Sequence, residues 1–212
     1  MRRHDLVWLA PQAPWQVLTP GADARLRAWA EARLPFVVAR RDPAADGDHL
    51  RLGVPLPLAE QRRRLSLRIE PGHVLRTTPP PALAEVTEGL PAPWRDEVRL
   101  LLADTRDLDV PPRVFGSFAW QHLTGLLYLR ASSDLDLLWE VEDHAQADRL
   151  AARMQRWERE HRLCIDGELR FPGERAVSWR EYASGAARVM VKTGDACWLS
   201  PRDALLSLQA VA

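Results

Sequence analysis

Apolar residues recur at helical spacing between Ala145 and His161, where Leu150, Met154 and Trp157 fall on one side, and this predicts a long amphipathic helix. A shorter stripe of Leu26, Trp29 and Ala30 predicts a helix over Asp23 to Arg33. Short apolar runs bounded by turn formers predict strands over Asp5 to Leu9, Phe36 to Arg40, His49 to Val54 and Leu65 to Ile69, with a helical turn at Glu60 to Arg64 and a stop at Pro71-Gly72. Further on, Ala82 to Gly89, Trp94 to Ala103 and Phe118 to Leu129 read as helices, the last interruptible at Gly125. Asp134 to Val141 reads as a strand, Leu163 to Phe171 as a hairpin arm, and Ala176 to Tyr182 and Arg188 to Lys192 as later strands.

Pro79-Pro80-Pro81 separates these elements into two groups, because a proline run neither continues a helix nor feeds a sheet ladder. The expected architecture is α+β with two domains. Residues 1–80 form a small α+β module for substrate or partner recognition, and residues 81–212 form a catalytic core of mixed sheet and helices. A chain of 212 residues has room for two such domains.

The candidate chemistry lies in the second domain. Asp134-Leu135-Asp136 opens an apolar strand, and alternation puts both carboxylates on one face. Neighbouring carboxylates resist joint ionisation unless a cation lies between them, and a divalent metal carrying a polyphosphate meets that need. Upstream stands Val114-Phe115-Gly116-Ser117, a turn whose backbone N–H groups and hydroxyl suit phosphate oxygens. Lys192 is the only lysine in a chain whose other 28 basic residues are arginine, and it is a candidate phosphate contact.

A hydrophobic-Gly-Ser turn followed by Asp-hydrophobic-Asp resembles the polymerase-β-type nucleotidyltransferase superfamily. The flanks narrow the resemblance. The segments 3–9, 34–38 and 52–56, Val114 to Gln121, Leu123-Thr124-Gly125, Ser133 to Trp139, Asp166-Gly167-Glu168-Leu169 and Val177 to Glu181 together resemble the phosphoribosyl-dephospho-CoA transferases of malonate decarboxylase, also called holo-acyl-carrier-protein synthases. Sixteen residues separate Ser117 from Asp134, more than in most of the superfamily, and Trp120-Gln121 stands where many members have Arg-Gly. Both traits are shared by the malonate decarboxylase enzymes.

The resemblance implies transfer of a phosphoribosyl-dephospho-CoA group from 2'-(5''-triphosphoribosyl)-3'-dephospho-CoA to a serine of the acyl-carrier subunit of malonate decarboxylase, with release of pyrophosphate. It implies Mg²⁺ held by Asp134 and Asp136, with Asp166 as the choice for a third carboxylate ahead of Glu168, and phosphates received at Gly116, Ser117 and Lys192. Asp166-Gly167 also reads as a hairpin turn. Rival readings are a small-molecule nucleotidyltransferase that uses ATP and a catalytically silent nucleotidyltransferase-like binding subunit.

Composition trims the field. Basic and acidic residues balance to a formal net charge of zero, which argues against a protein that grips nucleic acid through phosphates. Cys164 and Cys197 show no metal spacing and read as reduced thiols of a cytoplasmic protein. The N-terminal residues show neither a signal peptide nor a membrane span. Arg62-Arg63-Arg64, Arg40-Arg41 and His4-Asp5 read as solvated or structural, and Trp120, Trp139, Trp157 and Trp179 read as core, although Trp120 and Trp179 lie close enough in sequence to the proposed site to stack on a base.

Overall fold

The computed structural model describes residues 1–206, which fold as α+β in two compact units. The first unit comprises Met1–Pro80 with the short segments Leu123–Tyr128 and Gly194–Ala196, and the second comprises the rest.

The first unit contains β1 (Leu6–Leu9), β2 (Gln16–Val17), α1 (Asp23–Glu31), β3 (Phe36–Val38), α2 (Pro43–Asp46), β4 (Leu50–Pro55), β5 (Arg64–Ile69) and β6 (Val74–Thr78). Its strands join in the order β2-β5-β4-β3-β1-β6, every pair antiparallel. Alternate positions of β4 and β5 are buried, so Leu52, Val54, Leu65, Leu67 and Ile69 line one face. Leu26, Trp29 and Ala30 of α1 are buried as the stripe predicts, and the Trp29 indole donates to Pro35 O at 2.9 Å. The predicted turn at Glu60 to Arg64 is instead a 3₁₀ turn over Leu58–Glu60, followed by Gln61 and Arg62 at positive φ before β5 begins at Arg64. β6 was not visible in the pattern: it is an edge strand whose Leu75, Arg76 and Thr77 are exposed, so neither burial nor alternation marks it.

In the second unit α3 (Leu83–Thr87) and α4 (Ala92–Asp104) lead to β7 (Arg113–Phe115), α5 (Gly116–Thr124), β8 (Leu135–Glu140), α6 (His144–Glu160), β9 (Ile165–Phe171), β10 (Arg175–Ser178), α7 (Trp179–Ala183), β11 (Arg188–Lys192) and β12 (Cys197–Pro201). The sheet runs β12-β11-β10-β9-β8-β7. Among the described residues only β8 and β9 pair in parallel, and α6 is the crossover that such a pair requires.

The α6 helix starts where the side chain of Asp143 accepts the Gln146 N–H at 2.7 Å, while Gln146 Oε1 accepts from Glu142 N at 2.8 Å. Its buried stripe is Ala147, Leu150, Ala151, Met154 and Trp157. This face packs with α7 and β9. Truncating Leu150 to Ala there costs about 3 kcal/mol.

Three boundaries differ from the sequence expectation. The predicted helix over Phe118 to Leu129 begins two residues earlier and stops at Thr124, because Gly125 takes φ +70° and Thr124 Oγ1 accepts the Leu126 N–H. The predicted strand Ala176 to Tyr182 ends at Ser178, where α7 begins and buries Trp179 and Tyr182. The β7 and β12 strands are too short or too exposed to have shown a pattern.

In the first unit, Arg25 grips Glu60 through Nε to Oε2 at 2.9 Å and Nη2 to Oε1 at 2.7 Å. The bond from Arg25 holds the Glu60 carboxyl below its ordinary value. The stabilisation is therefore complete above the ordinary glutamate range and lost as pH falls through the lowered folded value. About a third of each side chain is exposed, 34% and 36%, so the contribution stays below about 1 kcal/mol. Glu60→Gln should lower the melting temperature at neutral pH by no more than about 3 °C. The gap to wild type should close as pH falls below about 4, as read by thermal melts across that range.

Candidate functional site

The positions of the acidic side chains follow from strand register. Antiparallel pairing sets Phe115 of β7 opposite Asp136 of β8, and parallel pairing sets Asp136 opposite Asp166 of β9. Leu135 and Leu137 point into the core, which turns Asp136 to the other face. Asp134, just before β8, shares that face. One carboxylate oxygen from each of Asp134, Asp136 and Asp166 lies within 4.8 Å of the others. Asp134 is exposed, and Asp136 and Asp166 are half-buried.

Two glycines make this approach possible. Gly116 has φ +65°, and a Cβ there would sit 1.8 Å from Asp136 Oδ2 and 2.6 Å from its Cγ. Both the backbone conformation and the closeness of the carboxylate demand glycine. Gly167 has φ +143°, and its Cβ would fall 1.9 Å from Leu137 O and 2.8 Å from Leu137 N. Asp166-Gly167 is therefore not a hairpin turn. It lies inside β9, where the missing side chain lets the two parallel strands close together.

Ser117 follows Gly116 in the first turn of α5 and is half-buried. The turn and the carboxylate strand are thus adjacent, with Gly116 against Asp136. Lys192 does not join the acidic cluster. It sits on β11, three strand positions from β8, or about 14 Å at ordinary spacing. Its Nζ lies 3.3 Å from Oε1 of the buried Glu168, which accounts for Glu168 as a partner of lysine rather than a member of the triad.

Arg180, the second residue of α7, falls in the predicted strand Ala176 to Tyr182 and in the segment Val177 to Glu181 that carries the resemblance, which gives it no site role. Its Nη2 donates to Ile165 O at 2.7 Å, it pairs with Glu158, and its Nε stands 3.9 Å from Asp166 Oδ1. The same Asp166 oxygen accepts the Gly167 N–H at 2.8 Å. Trp179 and Trp120 are buried, and the Trp179 indole donates to Ile165 O at 3.2 Å, so both act in the core. His4-Asp5 is a turn closed by Arg2 N on Asp5 Oδ2 at 2.7 Å. Arg41 is held by Gly47 O and Asp195, and Arg62, Arg63 and Arg64 are exposed.

Three converging carboxylates supply hard oxygen donors and no nitrogen or sulfur, a donor set that fits Mg²⁺ or Mn²⁺. Cys164 and Cys197 are free and exposed. Among the described residues no helix is long and apolar enough to cross a membrane.

Comparison with known proteins covers nearly the whole chain. Residues 2–80 match the model of the phosphoribosyl-dephospho-CoA transferase MdcG N-terminal domain, and residues 82–203 match that of the C-terminal domain. A phosphoribosyl-dephospho-CoA transferase of Xanthomonas euvesicatoria pv. vesicatoria (strain 85-10) is 49% identical over 210 residues, covering 99% of both chains. One of Xanthomonas axonopodis pv. citri (strain 306) is 47% identical over the same coverage. One of Bradyrhizobium diazoefficiens is 34% identical over 97% of this chain and 92% of its own. No solved structure matches the chain. The chain is a transferase and belongs to the phosphoribosyl-dephospho-CoA transferase family.

Proposed function

We propose that this transferase acts as a nucleotidyltransferase: it moves the phosphoribosyl-dephospho-CoA group of 2'-(5''-triphosphoribosyl)-3'-dephospho-CoA onto a serine of the acyl-carrier subunit of malonate decarboxylase. The observation that carries the reading is the convergence of Asp134, Asp136 and Asp166 beside the Gly116-Ser117 turn. The serine oxygen bonds to the phosphorus nearest the ribose, the bond from that phosphorus to the bridging oxygen breaks, and pyrophosphate leaves with those electrons.

The three aspartates would hold Mg²⁺, which when bound offsets charge on the triphosphate and on the leaving pyrophosphate. The chain's own groups do the rest. The first turn of α5 presents backbone N–H groups and the Ser117 hydroxyl to the outer phosphates, with the positive end of the helix behind them. A carboxylate of the cluster takes the proton from the attacking serine. The nucleophile belongs to the partner, so Ser117 orients phosphate and forms no bond to it. Lys192, leashed by Glu168 two strands from Asp166, meets a phosphate further along the substrate. The first unit serves recognition of the CoA-like portion or of the carrier.

Mass spectrometry of the apo carrier after incubation with this protein, Mg²⁺ and the triphosphoribosyl compound should show one phosphoribosyl-dephospho-CoA addition and one pyrophosphate per carrier. Modification from ATP instead would favour a small-molecule nucleotidyltransferase. Asp136→Asn should lower transfer by roughly three orders of magnitude with the melting temperature kept. Unchanged turnover would sink the metal assignment. Gly116→Ala should displace the Asp136 carboxylate and reduce kcat about 100-fold, a loss that single-turnover pyrophosphate release would register.

A further inference from the structure

We infer that Arg180 is a positioning residue that fixes Asp166 as the third ligand of the acidic cluster. The inference rests on the cation-binding reading given above and assigns a role to a residue that the reading leaves out.

The guanidinium of Arg180 is held from several directions at once. Its Nη2 donates to Ile165 O, the carbonyl immediately before Asp166, and the same nitrogen pairs with Glu158 of α6. Its plane lies over the Trp179 ring, 4.8 Å from the centroid. The Trp179 indole donates to that same Ile165 carbonyl at 3.2 Å, and Trp179 is 1% exposed. The start of β9 is therefore anchored twice, by the first two residues of α7. So tethered, the guanidinium turns its Nε toward Asp166 Oδ1 at 3.9 Å, on the oxygen that already accepts the Gly167 N–H.

Both interactions fall on one oxygen of Asp166. Oδ1 is engaged by the protein, which orients the carboxylate and assigns Oδ2 to the cation. Three carboxylates this close repel one another, and a side chain free to rotate would swing Asp166 toward solvent. A planar donor with a fixed fork suits the task, since it meets a backbone carbonyl and two carboxylates at once. Lysine carries the same charge and cannot span those partners.

The electrostatic sign separates positioning from mere charge. A guanidinium beside a cation site repels the cation, so if charge were its whole contribution, removing it would tighten binding. If it positions Asp166, removing it weakens binding. Titration of Mn²⁺ into the full-length protein, followed by the loss of free Mn²⁺ electron paramagnetic resonance signal, reads this without substrate. Arg180→Gln and Arg180→Lys should each weaken Mn²⁺ about tenfold, and Glu158→Gln, which keeps the arginine and cuts one tether, should weaken it about threefold. Asp136→Asn should abolish the signal change. Thermal melts confirm that each variant compared is folded. Wild-type affinity or tighter binding in Arg180→Gln, with wild type binding normally, would overturn this inference alone. Failure of wild type to bind Mn²⁺ would overturn the cation reading and this inference with it.

Discussion

The parallel contact between β8 and β9 is the constraint on which the candidate site depends. It sets Asp136 level with Asp166, and it exists at this closeness because Gly167 offers no Cβ to the Leu137 backbone. At an effective dielectric near 20, the repulsion between the two half-buried carboxylates is on the order of 3 kcal/mol. Nothing local to either strand would choose that arrangement. It is sustained by the apolar face beneath, where Leu135, Leu137, Trp139, Ile165 and Leu169 are buried and α6 and α7 pack. A one-residue slip would send those side chains outward and the aspartates into the core, so the register that is best for packing is also the register that crowds the acids.

The long helix and the carboxylate strand were legible because each repeats a simple physical rule over many residues. Leu150, Met154 and Trp157 recur at the helical period, and Asp134 and Asp136 alternate with Leu135 and Leu137. The pairing of Asp136 with Asp166 was not legible from spacing. It joins strands separated by a whole helix, and sequence offers no local trace of such a contact. Gly167 was misleading for a related reason: Asp-Gly is a turn former by local preference, and the close approach of another strand overrides that preference here. The role of Arg180 was not legible because Ala176 to Tyr182 reads as one strand, whereas Trp179–Ala183 form a short helix that buries Trp179 and Tyr182.

The polar face of the second sheet shows how charge is graded away from the cluster. In the row beyond Asp136 and Asp166, the buried Glu168 has Lys192 at 3.3 Å. In the row after that, the buried Arg170 stands 3.4 Å from Glu140 and 3.9 Å from Glu174. These rows match acid with base, as buried charge requires. In the first row three carboxylates meet, and Arg180 divides its charge between Asp166 and Glu158. The imbalance lies at the end of the sheet where Asp134 is exposed. Lys192 then has a physical reason to be a lysine. Its ammonium meets Glu168 from a flexible stem, whereas an arginine forked onto Glu168 would be committed to it. The same logic runs the other way at Arg180, where commitment to several partners is what holds Asp166 in place.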